Sequence, residues 1–536
     1  MTVYVPEEFT PSEAAILRHY FTNLDQPVFA LVNLPEVVKG ALFARYSRSP
    51  KSLRRLFLDE FVGDLDITGD ENFDATIGVD RAETLYEKVF FEYGDDSVAQ
   101  LGGVHLACEQ ASNILTKILE WGRLMSYLEQ STRYIAYDER LGGRYRFYRD
   151  PDIMSGRFGT RYVGDMDRMF ESYSQLATQV TEHVRATIPR DAGVSDFVFR
   201  QATRAKALDA VRGALPAASL SNVGIYGSGQ AFENLLLRMR SHPLPEARHY
   251  AEMMLTELRK VIPSFLRRVD LADRGGRWSE YLRSTQSATS DIVQRLFGDE
   301  IATEVPEVSL ISFDPDAENK VVAAICYSQS HLPEAQIIQK VAKMSTDDKA
   351  AILRAYVGDR ENRRHRPGRA FERVDYRFDV LSDYGAFRDL QRHRLLTIEW
   401  QPLTPYHGYT KPDLVDASGC GDMFDDVMDR SRSLYEAMVG EYPQQAGYAV
   451  AMAYRLRYVM QFNAREAMHM LELRSSPQGH PSYRRVALEM HRLIAEQAGH
   501  KALASAMSHM TTEAPELERL ESERRAESRR GANPSA

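Results

Sequence analysis

The sequence predicts an α+β protein made of two tandem copies of one domain, each a twisted β-sheet flanked by helices. Two ordered pairs of similar segments carry that prediction. Residues 28–49 (VFALVNLPEVVKGALFARYSRS) and 308–330 (VSLISFDPDAENKVVAAICYSQS) each hold a β-type apolar run, a turn containing Pro, and an apolar stretch ending in Tyr-Ser-x-Ser. Residues 231–254 (AFENLLLRMRSHPLPEARHYAEMM) and 467–490 (AMHMLELRSSPQGHPSYRRVALEM) each read as an amphipathic helix, a Ser/Pro turn and a second helix. Two pairs in the same order point to a repeat of roughly 220 residues.

The N-terminal extension, residues 1–27, has Thr10-Pro-Ser-Glu13, a capping box with Pro at the first helical position, so a helix is expected from residue 11 to 23. The first copy spans 28–270. Segment 271–306, rich in Gly, Ser, Thr and charge, reads as a connector with one short helix over 291–297. The second copy spans 307–510. The tail, 511–536, has few large apolar residues and many charges, a composition that predicts disorder.

Composition sets the class. The 536 residues are 43% hydrophobic and 27% charged, which suits a globular protein with a sizeable core. The net charge of −9 supplies no basic field for nucleic acid. Cys108, Cys326 and Cys420 have no C-x-x-C spacing, so neither zinc nor a disulfide framework is expected, and a reducing cytoplasm is the predicted compartment. No signal peptide and no membrane span is expected, for want of a long apolar run.

Within the first copy, residues 105–121 place Ile114, Ile118 and Trp121 on one helical stripe, with Leu115 and Leu119 beside it. Glu129, Ser131 and Arg133 then alternate, and an extended backbone would set them on one face. A carboxylate, a hydroxyl and a guanidinium on one edge suit a phosphorylated ligand; a solvated edge strand with an internal ion pair is the plainer reading. Gly227-Ser-Gly229 is read as a plain turn, an anion-binding nest being the alternative.

Within the second copy, Arg392-His393-Arg394 sets two guanidiniums around an imidazole, which suits a pyrophosphate or completes a helix end. In Asn463-Ala-Arg465-Glu-Ala-Met-His469-Met-Leu-Glu-Leu-Arg474, Asn463 and Arg474 share a helix face. Arg465 and His469 form an i,i+4 pair on an adjacent face, and Ala464, Ala467, Met468 and Leu471 form the apolar stripe between. The plain reading makes Asn463 an N-cap of an ordinary amphipathic helix.

This combination resembles the flavin-dependent thymidylate synthases, with their R-H-R-x-x-S-x-N-E-x-S-x-R-Y motif and a later N-x-R-x-x-x-N/H followed by an arginine. Arg392, His393 and Arg394 match the start of the long motif; Arg123, Ser126, Glu129, Ser131, Arg133 and Tyr134 match its second part; Asn463, Arg465, His469 and Arg474 match the later motif. Gly94-Asp95-Asp96-Ser97 is similar to the family's Gly-His-x-Ser without its histidine, and Arg238 is what remains of the later motif in the first copy. Neither copy is intact: Trp121, Gly122 and Leu128 replace motif residues in the first, and Thr397, Trp400, Pro402, Thr404 and Pro405 in the second.

The resemblance implies FAD as cofactor, a reduced nicotinamide nucleotide and methylenetetrahydrofolate as co-substrates, and methylation of dUMP to dTMP. It implies FAD contacts from Ser97, Arg123, Arg392, His393, Arg394, Asn463, Arg465 and His469. It implies dUMP contacts from Ser126, Glu129, Ser131, Arg133, Arg238 and Arg474, the two last being catalytic through the uracil ring. Because the losses are complementary, sites composed from both copies are expected, in a homodimer that mimics the family's tetramer. A degenerate paralogue that binds flavin or nucleotide without thymidylate synthesis, or a flavoenzyme acting on another pyrimidine nucleotide, is the alternative.

Overall fold

The computed structural model describes residues 4–62, 100, 102–513, 517, 520, 523–525, 527 and 528. Strands β1 (Val28–Leu31), β2 (Gly103–Ser112), β3 (Met125–Glu129) and β4 (Leu220–Ser228) form an antiparallel sheet in the order β1-β2-β4-β3. Strands β5 (Val308–Phe313), β6 (Asp375–Asp383), β7 (Leu396–Trp400) and β8 (Arg455–Asn463) form a second sheet in the order β5-β6-β8-β7. The two sheets share one topology, as the repeat requires.

The helices repeat as well. The N-terminal α1 (Pro11–Tyr20) carries the expected Thr10/Glu13 capping box. After the first strand of each copy comes α2 (Glu36–Tyr46) or its counterpart Ala317–Ser328. The second strand leads into α3 (Asn113–Leu119), capped by the Ser112 side chain, or into Tyr384–Leu390, capped by Asp383. The last strand leads into α4 (Gly229–Ser241), capped by Ser228, or into Ala464–Arg474, capped by Asn463. The helix that follows, α5 (Pro245–Leu258) or Pro481–Glu496, packs on its predecessor and on its sheet. At Thr10, Ser112, Asp383, Ser228 and Asn463 a short polar side chain satisfies an N–H that the first helical turn leaves open.

The core of the first unit joins Phe29 and Leu31 of β1, Leu42, Phe43 and Tyr46 of α2, Leu53, Leu56 and Phe57, and Leu17 of α1. Gly224 is required there: a Cβ on it would stand 2.2 Å from the Phe43 ring. By contacts, one compact unit comprises Met1–Ser174, Leu215–Ala302 and Asp429–Val450, and the other Gln175–Ala214, Thr303–Met428 and Ala451–Ala536.

Three local expectations are corrected. Residues 105–112 are strand, and helix begins only at Asn113, so Trp121 lies beyond α3. A bulge at Glu109 and Gln110, where Gln110 takes φ +53°, shifts the β2–β4 register and breaks the alternation that would have revealed the strand. β3 stops at Glu129: the N–H groups of Tyr134 and Ile135 both bond the Ser131 carbonyl at 3.2 Å, so Ser131–Arg133 is a turn and not an extended edge. The connector holds a 21-residue helix, α6 (Arg277–Phe297), in place of the short one expected. No described helix is long and apolar enough to cross a membrane.

Candidate functional site

The second unit gathers its motif residues where two helix-capped turns meet. Arg392, His393 and Arg394 lie between Tyr384–Leu390 and β7, and Glu466, His469 and Arg474 project from Ala464–Arg474. His393 is buried and is the hub. Its Nε2 accepts from Arg474 Nε at 3.0 Å, and its Nδ1 stands 2.9 Å from Glu466 Oε1. A guanidinium can only donate, so Nε2 must carry its lone pair. The ring proton is therefore on Nδ1 and is donated to Glu466. Both ring nitrogens are thus engaged within the protein, and the imidazole is locked neutral.

The electrostatics agree. Burial, helped by Arg474, His469 and Arg366, holds His393 well below the usual imidazole range. Burial pushes the Glu466 carboxyl up to about 7, against the pull of Arg366 and Arg465. His469, whose ring lies 5.3 Å from that of His393, is pushed down to about 4 by burial and then by Arg366, Arg363, Arg474 and Arg465. Burial also lowers Arg474, which lies over Tyr483 at 5.4 Å and approaches Asp389 at 3.9 Å. Asp389 further takes Arg212 at 3.5 Å and Arg392 at 3.8 Å.

The ligand atoms of His393, Glu466 and His469 lie within 4.8 Å of one another, a spacing a metal ion can use. The surroundings do not fit one. Both nitrogens of His393 are occupied, and apart from Asp389 the charges acting on the two histidines are guanidiniums, which repel a cation and attract an anion.

Each predicted residue of this half has a definite place. Arg392 and Arg394 are exposed beside His393. Asn463 is the N-cap, its Oδ1 accepting from Glu466 N at 2.9 Å. Arg465 donates to the Pro367 carbonyl at 2.9 Å and reaches Glu372 at 3.4 Å. The apolar stripe Ala464, Ala467, Met468 and Leu471 is fully buried, as expected. Glu466, Arg363, Arg366 and Asp389 were missed. The i,i+3 spacing of Glu466 and His469 was the only sequence signal for them.

In the first unit the same positions carry no such chemistry. Nine residues beyond the N-cap of its short helix, where the second copy has Arg392, stands Trp121, and Gly122 follows in place of His393. Counted from Ser228, the N-cap matching Asn463, Ala231 replaces Glu466, Asn234 replaces His469 and Met239 replaces Arg474. Arg474 stands eleven residues after its cap and Arg238 only ten after Ser228, so Arg238 is not the positional counterpart of Arg474. It nevertheless reaches the end of the short helix, donating to the Ile118 carbonyl at 3.2 Å and lying over Trp121 at 4.8 Å, and burial lowers its pKa.

Glu129 is buried and paired with Lys117 at 3.1 Å. Ser131 Oγ accepts from Arg133 N at 3.3 Å. Ser126 and Arg123 are exposed and Arg133 is half-buried. Ser97 lies outside the described residues.

The fold and site define a tandem α+β protein with a cluster of arginine, histidine and glutamate side chains built around His393 in the second copy. The family model described as "Thymidylate synthase complementing protein" (Thy1) matches residues 45–264 and again 309–499. A UPF0159 protein of Chlamydia pneumoniae is 41% identical over 487 residues, covering 90% of this chain and 91% of that one. A UPF0159 protein of Thermoplasma acidophilum is 31% identical over 512 residues, covering 90% and 97%. The chain belongs to the thymidylate synthase complementing protein family, as a tandem pair of its domains.

Proposed function

We propose that the chain is a flavin-dependent thymidylate synthase whose flavin elements are carried by the second copy, converting dUMP to dTMP with methylenetetrahydrofolate and reduced flavin. One observation carries the reading: the buried Arg474–His393–Glu466 chain beside the exposed pair Arg392 and Arg394. The donor set fits FAD, since exposed guanidiniums and the half-buried His469 suit a diphosphate. When bound, the flavin would supply the redox step.

The rest falls to this chain's side chains. Arg392, Arg394, Arg465 and His469 would hold the cofactor. His393 positions Arg474: its fixed tautomer presents a lone pair that aims the guanidinium without adding charge. Arg474 would then stabilise negative charge developing on the uracil ring. The chemistry needs no cysteine nucleophile, in keeping with a Cys108 thiol pushed far up by burial and a buried Cys420. Arg133 and Ser131, with Ser126, would hold the nucleotide phosphate, and a reduced nicotinamide nucleotide would recharge the flavin.

The reading of a flavin- or nucleotide-binding protein without thymidylate synthesis, or acting on another pyrimidine nucleotide, is favoured by the burial of Glu129 against Lys117, which takes that carboxylate away from a ligand. Complementation of a thymidine auxotroph separates the two. Growth without thymidine, abolished by Arg474→Ala, supports synthesis. A flavin-loaded protein that does not complement supports the second reading.

A further inference from the structure

The loop between residues 359 and 368 is fastened to helix Ala464–Arg474 at two points. At one end Arg360 makes a two-pronged pair with Glu472, both contacts at 2.6 Å and both side chains almost wholly buried. At the other end Arg465 holds the Pro367 carbonyl at 2.9 Å. Residues 465, 469 and 472 share one face of the helix, so His469 sits between the two fastenings. Inside the loop Asn362 and His365 bond each other at 3.1 Å, and Arg360 Nε donates to the His365 carbonyl, which closes the loop on itself.

Two guanidiniums in this fastened span, Arg363 and Arg366, make no hydrogen bond or ion pair among the described residues. Arg363 is half-buried, which is costly for a lone charge. The acidic neighbours do not relieve them: Asp359 and Glu361 form no pair with either, Glu472 is spent on Arg360, Glu372 on Arg369 and Arg465, and Glu466 on His393. Their charges act instead on the inner groups. Both depress His469, and Arg366 acts on His393 and Glu466 too. His469 itself has no hydrogen-bond partner among the described residues.

We propose that Arg363 and Arg366, in the span fastened to the helix on either side of His469 by Arg360–Glu472 and Arg465–Pro367, form a binding subsite for a phosphate or diphosphate group of a nucleotide. Two guanidiniums can each present paired N–H donors to phosphate oxygens, and a buried ion pair spent on holding an arginine-rich loop still is then accounted for. The subsite deepens the flavin reading, on which it rests only for the identity of the ligand.

The test titrates inorganic pyrophosphate, FAD and dUMP separately into the full-length protein and into Arg363→Gln/Arg366→Gln, by calorimetry, with circular dichroism confirming the fold. The expected result is that the double variant weakens pyrophosphate, and the nucleotide that uses this subsite, about tenfold or more. NMR of histidine-labelled protein gives a ligand-free readout: the His469 pKa rises in the variant as two nearby positive charges go, whereas Arg363→Lys/Arg366→Lys leaves it near its wild-type value. Pyrophosphate that binds in an arginine-dependent manner, with FAD not bound, upholds the subsite and defeats the flavin reading. FAD and pyrophosphate bound equally well by wild type and double variant, or pyrophosphate not bound by wild type at millimolar concentration, overturns the subsite, and the first of these leaves the flavin reading intact.

Discussion

Removing the Glu472 carboxylate should unfold the second unit far more readily than its single contact pair suggests. In Glu472→Ala the Arg360 guanidinium loses both 2.6 Å contacts and keeps only the Ala506 carbonyl at 2.8 Å and the His365 carbonyl. The His509 N–H loses its acceptor at 3.2 Å as well. A buried charge stripped of its partner costs about 3–5 kcal/mol. In Arg360→Met/Glu472→Met the buried charge disappears, leaving only orphaned neutral groups at about 1–2 kcal/mol, so the double variant should be more stable than Glu472→Ala. The second unit holds only one of the three tryptophans, Trp400, so a Trp121→Phe/Trp278→Phe background reports on it alone by fluorescence during urea unfolding. A loss under about 1 kcal/mol in Glu472→Ala, or a double variant as unstable as the sum of its singles, would refute the reasoning.

Other outcomes follow from the same contacts. Glu246, fully buried against Ser112 N at 2.8 Å, Ser112 Oγ at 2.6 Å and Tyr448 Oη at 2.7 Å, has its carboxyl raised from 4.5 to about 7 by burial. The folded state therefore binds that proton more tightly than the unfolded one. Its contribution is full below about 4.5 and is lost as pH rises to about 7, by about 3 kcal/mol at most. Glu246→Gln should flatten the fall in denaturation midpoint over that range, and an unchanged slope would show that the carboxyl titrates normally. Arg133→Lys should weaken dUMP by about five- to a hundredfold by calorimetry while flavin content holds, since the bidentate fork goes and the charge stays; equal affinity would take Arg133 out of the site. Light scattering should give twice the 61.0 kDa chain mass, and a strictly monomeric mass would contradict the homodimer.

The duplication was legible because each copy writes it in the same order: strand, Pro turn, helix, then a paired helix after the last strand. Thr10 and Asn463 were legible as caps because a cap's signal is local. The strand over 105–112 was not, because its small residues Ala107, Cys108 and Ala111 and the bulge at Gln110 erase the two-residue period. Helix α6 was hidden by polar composition, its residues standing exposed almost throughout. At the site, Arg392, His393, His469 and Arg474 announced themselves through spacing. Their meaning did not: that His393 faces inward depends on Glu466, 73 residues away. Arg360, paired with a carboxylate 112 residues on, looks in sequence like one more arginine in a basic loop.

The flavin content of the purified protein tests the central claim most directly. The account predicts that the protein, purified or reconstituted with FAD, shows flavin absorption bands that survive gel filtration. It predicts that Arg392→Ala/Arg394→Ala loses them, since two charge-assisted contacts, each on the order of 1.5–3 kcal/mol, go together, and that Arg133→Lys keeps them. Flavin retained by the double variant, or a wild-type protein that holds none in saturating FAD, would contradict it.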